Sequence, residues 1–466
     1  MIATRPIYRM ARVTLEALSA HGIHSGQGDY THDVLLVRDA NGLPALPGST
    51  LAGVLRHMYA ARHGQATADT LFGCIGDGAQ PSWLTVAWAH VHDSNDRPVP
   101  EGIAGCEDDV LLSYLQNDKP LVRQRVRLNH RGAATDAGKF DQTLIPSGVR
   151  YTGWLGYWCN GTEESDQAWQ QLLSLLTHQR LRLGHGTRSG TGLFQTAALA
   201  SGSWDLRKPE GRRGYVKRPR SRSSSAGLEP LELAYTPGLE VTMELHAESA
   251  WRVGGGERSL FAHDKAPDLL PQHETRIAWT ATGAQLNHSW HLLPGSAIKG
   301  ALRHRVAYHY RCLTGDFAGH GTSPAPEDCL AVQSLFGFSE GDNGQAGILA
   351  IDDLYMAPAE HGVLMHNRID RFTGGVINGA LFSEEILWRS PLRFRLEVID
   401  SHRHGEVDKA MRAALQRTLA DLACGWLPLG AGGSRGLGVM LDESGTGPVW
   451  SDGGAWISGS SPGDTA

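Results

Sequence analysis

The chain has 466 residues, 41% hydrophobic and 20% charged, with a formal net charge of −6. At roughly 150 residues per domain this length supports two or three cores, and the charge excludes a uniformly basic coat while allowing local basic stripes. No run of about 18 apolar residues occurs, which excludes a membrane-spanning helix and a membrane partner, and Met1–Pro6 lacks the apolar stretch of a signal peptide, so a cytoplasmic location is expected.

In chain order, Tyr8 to Leu15 alternates as a strand does. Leu46-Pro47-Gly48-Ser49 reads as a turn, and Leu51, Val54, Leu55 and Met58 follow at helical spacing. Ser49 is expected to cap that helix, whose first amides would face a phosphate. Leu84 to Val91 reads as a core strand, Arg123 to Arg127 as a basic stretch, and Trp169 to Leu176 as a helix. A Gly-rich loop follows, Gly184-His185-Gly186 through Gly190-Thr191-Gly192, and then a strand. Residues 201–230 are rich in Arg, Ser, Gly and Pro and are expected to be a mobile basic linker.

The pattern then repeats. Leu239 to Leu245 alternates, and Leu293-Pro294-Gly295-Ser296-Ala297-Ile298-Lys299-Gly300 returns the first motif, with Ser296 as the second expected cap. Leu71-Phe72-Gly73 returns as Leu335-Phe336-Gly337, and the Gly-rich loop as Gly430-Ala431-Gly432 through Gly436-Leu437-Gly438. Order and spacing are kept together, so the chain reads as two homologous domains, 1–200 and 231–445, joined by the linker and followed by a Gly/Ser-rich tail, 446–466. In the tail, Trp450 and Trp456 suggest docking. The succession strand, helix, strands, helix, Gly loop, strand predicts an α+β fold of two tandem ferredoxin-like (RRM-like) domains with long insertions, whose sheets would serve single-stranded RNA.

Glycines let backbone approach a ligand closely. Gly184, Gly186 and Gly190 with Arg188, and Gly430, Gly432 and Gly436 with Arg435, are therefore candidate phosphate contacts. Ser49, Arg56, Ser296, Lys299 and Arg303 join them from the two motif helices. Neither a Rossmann fingerprint nor a Walker lysine is written here, and the six cysteines form no C-x-x-C pair.

Leu46 to Gly53 resembles the helix signature of the RAMP superfamily of CRISPR effectors, and the terminal Gly-rich loops are similar to its other hallmark. His366-Asn367-Arg368-Ile369-Asp370-Arg371-Phe372-Thr373-Gly374 resembles the projecting thumb of the type III backbone subunit, with a more divergent counterpart near 127–140. The resemblance implies a fusion of two backbone subunits of a ribonucleoprotein. Its partners would be guide RNA, target single-stranded RNA and other CRISPR effector subunits. Phe372 would wedge against a base pair while Arg368 and Arg371 hold the backbone. The resemblance further implies target cleavage by a loop aspartate, which falls on Asp33, with a divalent cation, Mg2+, bound there. Asp29 and Asp39 are nearby rivals, and His24 or His32 could assist proton transfer. The corresponding position in the second half is Glu274, with Asp264 a looser candidate; Glu274 departs from the family pattern. A scaffold without chemistry, and a guide-processing endoribonuclease using His185, are the alternatives.

Overall fold

A strand that must bury one face needs a partner layer, and both halves of the chain supply it with two helices. The computed structural model describes residues 4–24, 26, 35–76, 78–103, 105–129, 133–317, 328–339, 344–357 and 360–459. The first half contains β1 (Ile7–Ala17), α1 (Gly48–His63), β2 (Leu84–Val86), β3 (Ala89–Val91), β4 (Leu121–Leu128), β5 (Ala134–Leu144), β6 (Arg150–Cys159), α2 (Glu163–His178), β7 (Ser189–Gly190) and β8 (Leu193–Asp205). β8, β1, β6 and β3 lie side by side with every pairing antiparallel. The last core strand thus flanks the first, which is the ferredoxin-like order. Ala11, Val13 and Leu15 of β1 point to one face and pack with Leu51 and Leu55 of α1 and Trp169, Leu172 and Leu176 of α2.

The expected mobile linker is folded. β8 runs to Asp205, and α3 (Pro209–Lys217) lies across the other face of the sheet. Its Tyr215 meets Tyr8 edge-on at 5.2 Å and tilts against Trp158 at 5.8 Å. Leu228, further along, packs with Met10 and Trp204. The outer sheet face is therefore filled by the chain itself rather than open to single-stranded RNA. Apolar anchors spaced among the arginines defeat the compositional reading of this stretch.

The second half repeats the plan with β9 (Glu240–Ala247), β10 (His273–Thr280), β11 (Gly283–Leu293), α4 (Gly295–Thr314), β12 (Leu349–Asp352), β13 (His361–His366), β14 (Phe382–Trp388), β15 (Pro391–Val398), α5 (Lys409–Ala423) and β16 (Met440–Leu441). Its sheet order, β16-β9-β15-β12, is the same. Trp450 pairs with Val241, and Trp456 packs into the second core, so the start of the tail is docked.

The Pro-Gly-Ser motif has a packing reason. A Cβ on Gly48 would stand 2.0 Å from the Val86 carbonyl oxygen, and one on Gly295 would stand 2.6 Å from that of Ile351. The glycines let each helix begin tight beneath a strand. Pro47 and Pro294 occupy the cap positions, and neither Ser49 nor Ser296 forms the expected side-chain cap. The helices start two residues earlier than expected, which moves both serines into the first turn.

The halves interlock. Ile277 of β10 joins the first core, and the Trp279 indole donates to the Gly148 carbonyl at 2.7 Å. β7, inside the first Gly-rich loop, pairs in parallel with β12 of the other half.

Candidate nucleic-acid interface

A cleft of about 920 Å³ opens between the halves. Its walls are one face of α1 (Thr50, Gly53, Val54, His57), the first Gly-rich loop (Gly184, His185, Thr187, Arg188), the crossing segment around Tyr235, and residues 397–400. Arg180, Arg182 and Arg188 contribute cations, and Glu397 and Asp400 answer part of that charge. Arg182 binds Asp352 at 2.9 Å and Glu397 at 2.7 Å. Arg188 binds Asp400 at 2.5 Å and donates to the Gly347 carbonyl at 2.6 Å. His57 reaches the same Asp400 at 2.9 Å. That hydrogen bond raises the His57 pKa against the opposing effect of burial. Asp400 falls to about 2: burial would raise it, but the His57 bond and the Arg188 charge outweigh burial.

The structure brings Arg188 of the first half toward Lys299 and Arg303 of the second. Burial first, and then repulsion from Arg188 and Arg303, lowers the Lys299 ammonium to about 8. Lys299 and Arg303 do not line the cleft itself, but like charges gathered beside Arg188 favour an anion among them. Arg125, at the root of the β4–β5 hairpin, is a further cation of this kind. Its Nε and Nη2 are buried without a hydrogen-bond partner, and burial followed by the Arg123 charge lowers its pKa to about 10.

Other predicted residues have structural partners. Arg56 ties α1 to the next helix through Asp69 and, at 2.7 Å, the Gly73 carbonyl. A Cβ at Gly184 would lie 2.4 Å from the Gly22 carbonyl oxygen, and at Gly190 1.9 Å from Asp353 Oδ1. Gly190 therefore serves the contact between halves. Gly186 and Gly432 would clash within their own loops, and Gly430 with the Arg252 carbonyl. Gly436, by contrast, has open space around it. Arg435 stands 3.4 Å from the buried Glu384. The N-terminus of α4 is already served by a carboxylate: the Gly295 amide donates to Asp353 Oδ1 at 2.8 Å. That helix end is not the open phosphate site expected of it.

Glu274 is fully buried. Arg123 Nε and Nη2 donate to its two oxygens at 2.7 and 2.8 Å, and Arg123 also pairs with Asp353 at 2.8 Å. This places the carboxylate inside the seam, where no scissile phosphate reaches, and corrects its reading as a cleavage residue. Asp33 lies outside the described residues, as do Asp29 and His32. Its flanks are described: His24 pairs with Leu36 across the loop, and the His24 and His185 rings are 5.8 Å apart. Asp39 is committed to the Asn41 and Leu43 amides and to His90.

A family model described as the RAMP superfamily matches residues 14–195 and again 244–440. The chain belongs to the RAMP superfamily. Its two matches coincide with the two halves, so it is a tandem RAMP protein. No curated protein matches it. Similar solved structures include a chain of the type III-B Cmr-beta complex bound to cognate target RNA, 11% identical over 40% of this chain and 96% of that one, with a TM-score of 0.31. A chain of Cmr-beta in the apo state is 12% identical, with the same coverages and TM-score.

Each RAMP domain also projects a hairpin between its second and third core strands, β4–β5 and β13–β14. The first exposes Val126, Leu128 and Phe140; the second exposes Met365, Ile369, Phe372, Val376 and Leu381. Phe372 is 83% exposed, and the Arg371 guanidinium sits over its ring at 4.7 Å. Arg368 is also exposed. Sequence reasoning singled out Arg123 and Arg125 only as part of a basic stretch, and missed Arg182, Asp352 and Asp353. The adjacent Asp352 and Asp353 at the end of an apolar strand were the available signal, since buried acids need partners.

Proposed function

We propose that this tandem RAMP protein is a backbone subunit of a type III CRISPR effector that holds guide RNA in the cleft between its domains. The observation that carries this reading is the convergence of Arg188 from one domain with Lys299 and Arg303 from the other. A phosphate chain laid there would offset the mutual repulsion of Lys299, Arg303 and Arg188, adding to the charge that Asp400 already supplies, without reading sequence. The exposed hairpins, with Phe372 and its neighbouring arginines, suit a wedge that interrupts the guide–target duplex. Further effector subunits would meet the open ends: Gly436 and Trp88 occupy the places that Gly190 and Asp353 hold in the internal seam, and Trp88 is 46% exposed. Lys299→Gln with Arg303→Gln should weaken binding of single-stranded RNA by tenfold or more in a filter assay at low salt. If the wild-type protein, alone or with co-expressed companions, carries and retains no RNA, the reading is wrong.

Target cleavage is assigned to Asp33, by its place in the loop before the Pro-Gly-Ser helix. Among the described residues no three His, Cys, Asp or Glu side chains form a metal site. A divalent cation bound there would be held by Asp33, which lies outside the described residues, and would stabilise charge on the phosphoryl oxygens; no step is routed through it. In this reading the cleft cations hold the phosphates while Asp33 orients a ribose hydroxyl. Asp33→Ala should abolish cleavage at one position in the assembled complex while leaving RNA binding intact; unchanged cleavage at every position overturns the assignment.

The approach of His24 to His185 favours a second reading, guide processing. Burial, then His24 and Arg125, lowers the His185 pKa, which keeps it a neutral base. Precursor cleavage by the isolated protein, lost in His185→Ala, would support it.

A further inference from the structure

The first RAMP domain carries a second cationic surface, on the sheet face opposite the cleft. Residues 206–222 hold eight Lys or Arg and one acid, in a chain of net charge −6. The folded position of α3 decides what this run does. Gly211, Gly214, Tyr215 and Arg218 recur at the spacing of one helix face and turn toward the sheet. A Cβ at Gly211 would stand 1.9 Å from the Asp205 carbonyl oxygen, and one at Gly214 2.5 Å from the Trp204 ring. Both glycines are therefore demanded by close approach, and the helix is held down rather than tethered. Arg218 stacks over Tyr215 at 3.9 Å, completing the anchor. Downstream, the Arg222 carbonyl accepts from Arg12 Nε at 2.7 Å, and Arg222 itself donates to the Pro100 carbonyl at 3.0 Å.

The remaining charges lie on the outer side, and Arg212 also donates to the Leu206 and Arg207 carbonyls at 2.9 and 3.1 Å. Lys208, Arg212, Arg213, Lys217 and Arg220 are all exposed, and Glu210 is the only acid among them. Lys208 and Arg212 form one i, i+4 row and Arg213 and Lys217 the next, so the charges make a ridge along the helix. A ridge of like charges destabilises its own helix. A polyanion is the ligand that turns this cost into binding, and a rigid helix loses less freedom on binding than a loose basic tail.

We propose that this strap is a sequence-independent RNA-backbone site, separate from the cleft. The sheet face that RRM-type folds offer to single strands is occupied by Tyr215 and Leu228, and the strap presents phosphate contacts on its outside instead. The inference does not need the cleft to bind.

The test uses the full-length chain and a long single-stranded RNA of mixed sequence, followed by fluorescence anisotropy between about 50 and 200 mM salt. The variant carries Lys208→Gln, Arg212→Gln, Arg213→Gln, Lys217→Gln and Arg220→Gln, all exposed positions that leave the anchors intact. With a contribution of about 0.7 per phosphate contact and five cations removed, the slope of log affinity against log salt should fall by about 3.5, and affinity at the lower salt should fall at least tenfold. An unchanged slope and affinity overturn the proposal. The Lys299→Gln, Arg303→Gln variant separates the two readings: if it alone loses RNA, the cleft stands and the strap falls. If only the strap variant loses RNA, the strap stands and the cleft falls. Poly-glutamate is the counter-probe. If the strap substitutions weaken its binding but not that of RNA, the surface serves an acidic protein and the proposal is overturned.

Discussion

Replacing Arg123 with alanine tests whether the two RAMP domains are one rigid unit. The guanidinium is 1% exposed, and its partners Glu274 and Asp353 have no exposed side-chain surface. Burial opposes its charge, but Asp353 and Glu274 outweigh burial and raise its pKa well above the usual value. Deleting the cation strands two carboxylates in a site closed to water. Breaking a buried pair from one side costs about 3–5 kcal/mol. One of those carboxylates also holds the Gly295 amide, so α4 should loosen with the seam. The expected result is a urea midpoint shifted by a loss in that range, with new protease sensitivity between the domains. The triple replacement Arg123→Met, Glu274→Gln, Asp353→Asn removes all the charges together and should recover much of the loss, because it strands no charge. A cost below about 1 kcal/mol for Arg123→Ala, or a triple variant as unstable as the single one, would refute the reasoning.

Gly190→Ala should destabilise by about 2 kcal/mol or more, since its Cβ would overlap Asp353 at a positive φ; Gly436→Ala, also positive in φ but in open space, should cost only about 1 kcal/mol, and denaturant melts compare them. Phe372→Ala should leave stability within about 0.5 kcal/mol while altering the spacing of accessible sites in a guide–target duplex probed with a single-strand nuclease. RNA affinity should fall as pH rises through and above 8: Lys299 titrates near 8 when free, a phosphate stabilises its charged form, and the proton is therefore bound more tightly in the complex. Lys299→Gln should flatten that profile in anisotropy titrations run from pH 7 to 10, and an unflattened profile would exclude Lys299 as a phosphate contact. Below the ordinary carboxylate range the seam should weaken by another route. Asp400 is depressed to about 2 in the fold, so its contribution is complete above about 3.8 and disappears as pH falls toward 2, which acid unfolding of Asp400→Asn against wild type measures.

The repeated Pro-Gly-Ser helix, the paired Gly-rich loops and the alternating first strands are enough, in the sequence alone, to define two ferredoxin-like domains and their family. These are local patterns: side-chain period and turn chemistry act within a few residues and survive in a single sequence. Tertiary structure decided how the glycines, charges and basic run are used. Gly48 and Gly295 are glycines because a strand passes over them, Gly190 because Asp353 of the other domain occupies the space. Glu274 reads as a loop acid until Arg123, distant in sequence, is seen closing on it. The basic run reads as a mobile linker until Trp204, Tyr8 and Met10 give Tyr215 and Leu228 a surface to cover. Burial and pairing depend on what lies opposite, and a sequence specifies a residue's neighbours along the chain far more plainly than those across it.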